Sequence, residues 1–327
     1  MNIRTLHTQG AGYLVSVLLC FITAAATLFF TVAGSQAEVR EQKGFNSPEE
    51  ALESLVAAVR AHDLNEMLAI LGPGSRELIS SGDEASDRAE REKFLSASNE
   101  MLNLSQKSAD TVIVSVGVDN WPMPVPIVKK GSVWIFDTLR GKGEILNRRI
   151  GRNELFVMEV LQAFVDAQHE YAIKNCSGSG KVEFAHRIIS SEGKHDGLYW
   201  EAGGDGEESP LGPLVAQAAK EGYANPDLQP FHGYYFKILQ AQGSHADGGA
   251  YHYVVNDKMI LGFAIIAYPA EYGNSGVMTF MVNQQGVIYQ KNLGKNTKHS
   301  AEAMTIFDPD KTWTKAEEPG NQNKPKS

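Results

Sequence analysis

The side chains able to do chemistry in this chain of 327 residues are few and scattered. His232, His245 and His252 lie near one another in the sequence, with Asp247 and Asp257 beside them. Histidine and carboxylate are ligands that zinc and other transition metals take. The spacings match no metal motif, however, and His245-Ala246-Asp247 reads as a turn, so solvated loop and strand-edge histidines are the preferred reading. Asp205, Glu207 and Glu208 in "GGDGEES" offer oxygen ligands for calcium, but without the alternation and distal Glu of an EF-hand loop. Ser244 and Ser275 each follow a glycine, yet neither sits in a G-x-S-x-G elbow. There is no phosphate-binding loop and no GxGxxG turn. Cys176 has no recognisable base beside it, so it reads as a half-buried residue at a helix end and only secondarily as a reactive thiol. Asp119, Trp121 and Asp137 are candidates for an N-terminal pocket, and read first as turn and edge residues. Arg148, Arg149 and Arg152 crowd what reads as a helix start, the wrong end for the dipole. Either an acidic neighbour such as Glu144 or Glu154 compensates them, or an anion binds there. No catalytic residue, metal site or cofactor is assigned, and the balance leans away from an enzyme.

The bulk numbers exclude other classes. The chain is 43% hydrophobic and 21% charged, which is globular rather than disordered, and its length suits two ordinary domains. A net charge of -9 leaves no basic footprint for nucleic acid and little attraction to anionic lipid heads. Of the two cysteines, Cys20 lies in the leading apolar segment, and Cys176 alone cannot close an internal disulfide. That leader has Arg4, an apolar run from Ala11 to Ala33, then Ser35-Gln36-Ala37. This is the plan of a signal peptide cleaved after Ala37. The run is also long enough to span a bilayer, so an uncleaved membrane anchor is the alternative. Either way the remainder is exported, to the periplasm or beyond.

Elements that would position any site follow from periodicity and caps. Ser47, Pro48 and Glu50 open a helix with Leu52, Leu55, Val56 and Val59 on one face. Asp63 and Glu66 repeat the device, and Gly72-Pro73-Gly74 ends the second helix. A charged helix follows, with Phe94, Leu95 and Met101 turned inward and its charges reading as a solvated face. Strands are expected at Thr111–Val118, Pro124–Lys129 and Ser132–Thr138, with a Lys130-Gly131 turn between the last two. Three alternate prolines in "NWPMPVPIV" predict an edge strand or an extended stretch. Gly141 and Gly143 predict a break before a long helix over Gly151–Lys174. Beyond it come a short helical turn over Phe184–Ile189, a helix ending at Gly222, and a run of glycine-bounded strands. The fold class is α+β. The expected layout is a leader 1–37, an N-terminal α+β domain 45–145, a helix-plus-antiparallel-sheet domain 146–307, and a disordered tail 308–327.

Three resemblances attach to quoted stretches. "SPEEALESLVAAVRAHDLNEMLAILGP" with the later "GSVWIFDT" resembles NTF2-like domains, which implies a cone around a pocket. "NRRIGRNEL", "DGLYW", "HGYYFKILQAQG" and "AYHYVVNDKMILGFAIIAYPAEYGNSGVMTFMVNQQGVIYQKNLG" resemble the exported bacterial domain-of-unknown-function 2950 family over nearly all the mature chain. That resemblance implies location and architecture, and carries over no catalytic residue. The long helix followed by the glycine-rich strands is similar to the heads of type IV pilins and pseudopilins. The pattern departs from a prepilin, because about 120 residues separate the leader from the head helix. Three functions follow in order: a non-enzymatic envelope protein that binds another exported protein or a surface polymer, an envelope hydrolase with an N-terminal pocket, and a pilus-assembly accessory. Nucleic acid is not an expected partner, and membrane contact is expected only through an uncleaved leader. Tyr268, Tyr272 and Asn274, in "AYPAEYGNSG", are the expected binding surface, since Tyr offers contact area with a polar tip.

Overall fold

Helix starts are where local chemistry and structure agree most closely. Ser47 accepts the Glu50 N–H at 3.1 Å and begins α1 (Pro48–Arg60), while Asp63 accepts the Glu66 N–H at 2.9 Å and begins α2 (Leu64–Leu71). The Glu50 carboxylate reaches back to the Asn46 N–H, closing the cap from the other side. Gly72 ends α2 at a φ of 76°, which only glycine adopts without strain. The computed structural model describes residues 41–174, 177–201, 208–223 and 229–317. The leader, Cys176, Asp205, Glu207 and the last ten residues of the expected tail lie outside them.

A one-turn α3 (Arg76–Ile79) leads to α4 (Glu84–Glu100), capped by Asp83. Phe94 and Leu95 turn inward as expected, but Met101 follows the last turn and is exposed. The first sheet comprises β1 (Leu102–Ser108), β2 (Thr111–Val116), β3 (Trp121–Pro122), β4 (Ile127–Lys130) and β5 (Val133–Phe136). Its order is β1-β2-β4-β5, with β3 also on β2, and all its pairs are antiparallel. The proline stretch divides. Pro122 lies in β3, which pairs only with β2 and so is an edge, while Pro124 and Pro126 fall in the extended gap between β3 and β4, where Met123 supplies the donor to the Val114 carbonyl; β4 itself lies between β2 and β5.

The expected break at Gly141 and Gly143 does not occur. A single helix, α5, runs Thr138–Lys174, and the expected boundary at 145/146 falls inside it. Gly141 is needed for close approach, because a Cβ there would stand 2.5 Å from the Pro124 carbonyl carbon. Ile145 packs into a first core with α1, α2, β2, β4 and β5, while Val157, Leu161, Phe164 and Val165 belong to a second. One helix thus serves both cores, and every described residue belongs to one compact unit.

No helical turn forms at Phe184–Ile189; this stretch is irregular, with Phe184 bridged to Met259. α6 (Gly212–Lys220) follows, then β6 (Tyr234–Leu239), the short β7 (Ala241–Gln242), β8 (Tyr251–His252), β9 (Val254–Val255) and β10 (Lys258–Met259). Next come β11 (Ala264–Pro269), β12 (Met278–Asn283), β13 (Tyr289–Asn292), α7 (Thr297–Ala303), β14 (Ile306–Phe307) and β15 (Thr314–Lys315). The second sheet has the order β15-β13-β12-β11-β6, antiparallel throughout. Gly286 closes the β12–β13 turn at a φ of 75°. Every residue of β11 is buried, so both faces of this sheet are covered, and α5 and α7 both pack against β11. The expected tail is ordered over 308–317: β15 extends the sheet and Trp313 enters the second core. The fold is α+β, with helices and antiparallel sheets.

Candidate functional site

Between the helices and the first sheet lies a cavity of about 180 Å³. α1 supplies Leu55 and Val59, α2 supplies Met67 and Leu71, and Leu78 and Ile79 close one side from α3. Met123 and Val125, from the proline stretch, floor it. These are the inward residues of amphipathic helices and of the segment joining β3 to β4 that have not packed flush. One wall differs. There α4 faces α5, and Asp87, Glu90, Arg91 and Arg149 line the hollow.

Each of these four has a distinct setting. Both Asp87 oxygens accept the Ser81 N–H, at 2.9 and 3.1 Å, and burial pushes the carboxyl above its ordinary 3.8, against the pull of Ser81, Arg149 and Arg91. Glu90 is held from outside by Arg152 at 3.1 Å. Arg149 donates to the carbonyls of Glu77 and Leu78 and to Asn274 Oδ1, at 2.6 to 2.7 Å. Burial lowers the Arg149 pKa, and Asp87 and Glu90 oppose that shift. Arg91 donates one N–H to the Ile79 carbonyl at 3.3 Å, and its Nε is buried with no acceptor among the described residues.

Behind this wall a polar network ties the two cores together. Asp83 caps α4 with one oxygen and with the other accepts the Tyr223 hydroxyl at 2.9 Å and the Gly233 N–H at 2.8 Å. Asn153 donates to the Ser275 carbonyl, and Glu154 accepts the Val277 and Met278 N–H groups. Asn274 accepts from Arg149 and donates to the Ser80 carbonyl at 2.9 Å and to Glu271 at 2.8 Å.

The expected surface at Tyr268, Tyr272 and Asn274 is therefore not a surface. Asn274 is 3% exposed and Tyr268 7%, with only Tyr272 partly open. The loop folds inward because the Asn274 side chain satisfies the Ser80 carbonyl and adds an acceptor for the half-buried Arg149 guanidinium. The arginine cluster is divided: Arg148 pairs with Glu144 at 2.7 Å, Arg152 with Glu90, and Arg149 turns inward. Because α5 begins at Thr138, these residues sit in its interior, where the dipole argument does not apply. Asp119, Trp121 and Asp137 stay out of the cavity; Trp121 is 58% exposed with Arg148 5.5 Å from its ring centroid. The histidines separate, His232 to Glu221 at 2.7 Å and His245 to Asp308 at 3.0 Å. Among the described residues no group of three His, Cys, Asp or Glu side chains could hold a metal ion.

A family model described as "Protein of unknown function (DUF2950)" matches residues 42–316. The chain belongs to this DUF2950 family. No curated protein and no solved structure matches it. The matched span takes in both cores, the wall and every described element of the second sheet. Within this DUF2950 chain, no described helix is long and apolar enough to cross a membrane.

Sequence reasoning missed Asp87, Glu90 and Arg91, which it assigned to the solvated face of a charged helix. A usable signal was present, since Asp87 and Arg91 lie four apart on one helix face, with Phe94 three residues further.

Proposed function

We propose that this protein is an exported binding protein, without catalytic activity, whose N-terminal half holds a small apolar ligand. The observation that carries this reading is the cavity, an apolar hollow with a few convergent polar groups in one wall. Its carboxylates are committed elsewhere, Asp87 to a backbone N–H and Glu90 to Arg152, which is why hydrolysis is the weaker reading. Titration calorimetry with aliphatic compounds of increasing chain length is the test. The protein is expected to bind those that fit and Leu78→Trp, which fills the hollow, to bind none. Binding unchanged in Leu78→Trp, or no binding by any member, refutes the reading.

The exported location rests on the leader, and the ligand or partner would be another exported protein's segment, an envelope polymer fragment or a small molecule of that compartment. Mass spectrometry of the mature protein is expected to find an N-terminus at Glu38. A pilus-assembly role has one observation in its favour, α5 lying on a five-stranded antiparallel sheet. Unchanged filaments in a deletion strain would count against it.

A further inference from the structure

The chemistry of the cavity wall narrows what the cavity takes, given that it binds a ligand at all. Four ionisable groups line it, two cationic and two anionic. Glu90 is paired outside the cavity with Arg152. Arg149 has its Nη atoms on two carbonyls and Asn274. Asp87 spends both oxygens on Ser81. Arg91 is the exception: like Arg149 it has no carboxylate within ion-pair distance among the described residues, but it alone also keeps a buried donor, its Nε–H, without an acceptor. A buried unpaired donor costs free energy that an incoming acceptor recovers.

We propose that the cavity binds a small amphiphile with an anionic head, its apolar body among Leu55, Met67 and Phe94 and its head on Arg91. A volume of about 180 Å³, at roughly 30 Å³ per water-sized group, accommodates a body of about six carbons. Arginine suits a carboxylate or phosphate head because its fork of donors matches two oxygens at once.

The test compares sodium hexanoate, 1-hexanol and hexylamine, three molecules with one tail and different heads, by calorimetry at pH 7 on the purified protein. Hexanoate is expected to bind about ten-fold tighter than hexanol, the scale of one charge-assisted hydrogen bond, with hexylamine weakest. Arg91→Gln is expected to remove the preference and leave hexanol binding in place. Equal binding of hexanoate and hexanol, or tighter binding of hexylamine, overturns the head-group assignment while the cavity remains a binding site. Failure of all three to bind overturns both. The ranking of heads on the unsubstituted protein decides the matter even if Arg91→Gln does not fold.

Discussion

Asn274→Ala is the most informative single perturbation, because one side chain holds three partners drawn from both halves of the molecule. Its Oδ1 takes an N–H from the half-buried Arg149 at 2.6 Å, and its Nδ2 reaches the Ser80 carbonyl at 2.9 Å and Glu271 at 2.8 Å. The bond from the guanidinium is charge-assisted, and losing it costs about 1.5–2 kcal/mol. The bond to Ser80 adds about 1 kcal/mol. The Glu271 carboxylate is exposed and regains water, so that bond adds little. The expected loss is about 3 kcal/mol, read as a lower urea midpoint at unchanged slope. Asn103→Ala is the control, an exposed asparagine whose one side-chain bond is long, 3.3 Å to Asn120, with an expected change within about 0.5 kcal/mol. The double cycle with Arg149→Met isolates the shared bond and should show a coupling of about 1 kcal/mol or more. A loss below about 1 kcal/mol for Asn274→Ala, or additive single losses, would refute the claim that this loop clamps the two cores.

Further outcomes are fixed by the same geometry. A methyl group at Gly143 or Gly151 would meet no neighbour within 4 Å, so replacement by Ala should stabilise α5 by up to ~1 kcal/mol at each. Gly141→Ala should instead destabilise by about 1–3 kcal/mol, because the Pro124 backbone cannot move aside; thermal melts that rank the three alike would sink the explanation. Asp87 has a folded pKa raised above 3.8, so its contribution to stability is fully present below that value and is lost as pH rises through the folded pKa. Asp87→Asn should therefore gain stability relative to the unsubstituted protein between about pH 4 and pH 7. A difference that stays flat or runs the other way across urea melts in that range would contradict the burial argument.

The sequence made legible those features whose causes are local. Ser47, Asp63, Gly72 and Gly286 each satisfy a cap or turn requirement within four residues, and each is found where local chemistry puts it. Features with distant causes were not legible. Gly141 reads as a helix breaker by propensity, yet it is the only residue type that lets α5 touch the Pro124 backbone, a contact no local window contains. In β12, Thr279 is as buried as Phe280 on the opposite face, because both faces of the second sheet are covered. Loop "AYPAEYGNSG" is polar and glycine-rich, the composition of an exposed turn. Its far end, Asn274 to Gly276, is buried because Arg149, well over a hundred residues earlier, needs the acceptor that Asn274 supplies.

The cavity wall follows the same logic and links it to function. Charges on α4 look like a solvated face because charge usually is solvated, and Glu84 and Arg88 do face out. Asp87 and Arg91, one turn apart on the other side, are carried inward because α4 must cover the first core while Asp83 pins its start to Tyr223 and Gly233. The clamp that joins the halves thus fixes how deep the wall sits. Weakening it at Asn274 should loosen Arg149 in that wall, and so reduce hexanoate binding along with stability. If Asn274→Ala lowered stability and left hexanoate affinity unchanged under conditions where the protein stays folded, the clamp and the cavity would be independent, and the wall would owe its position to α4 alone.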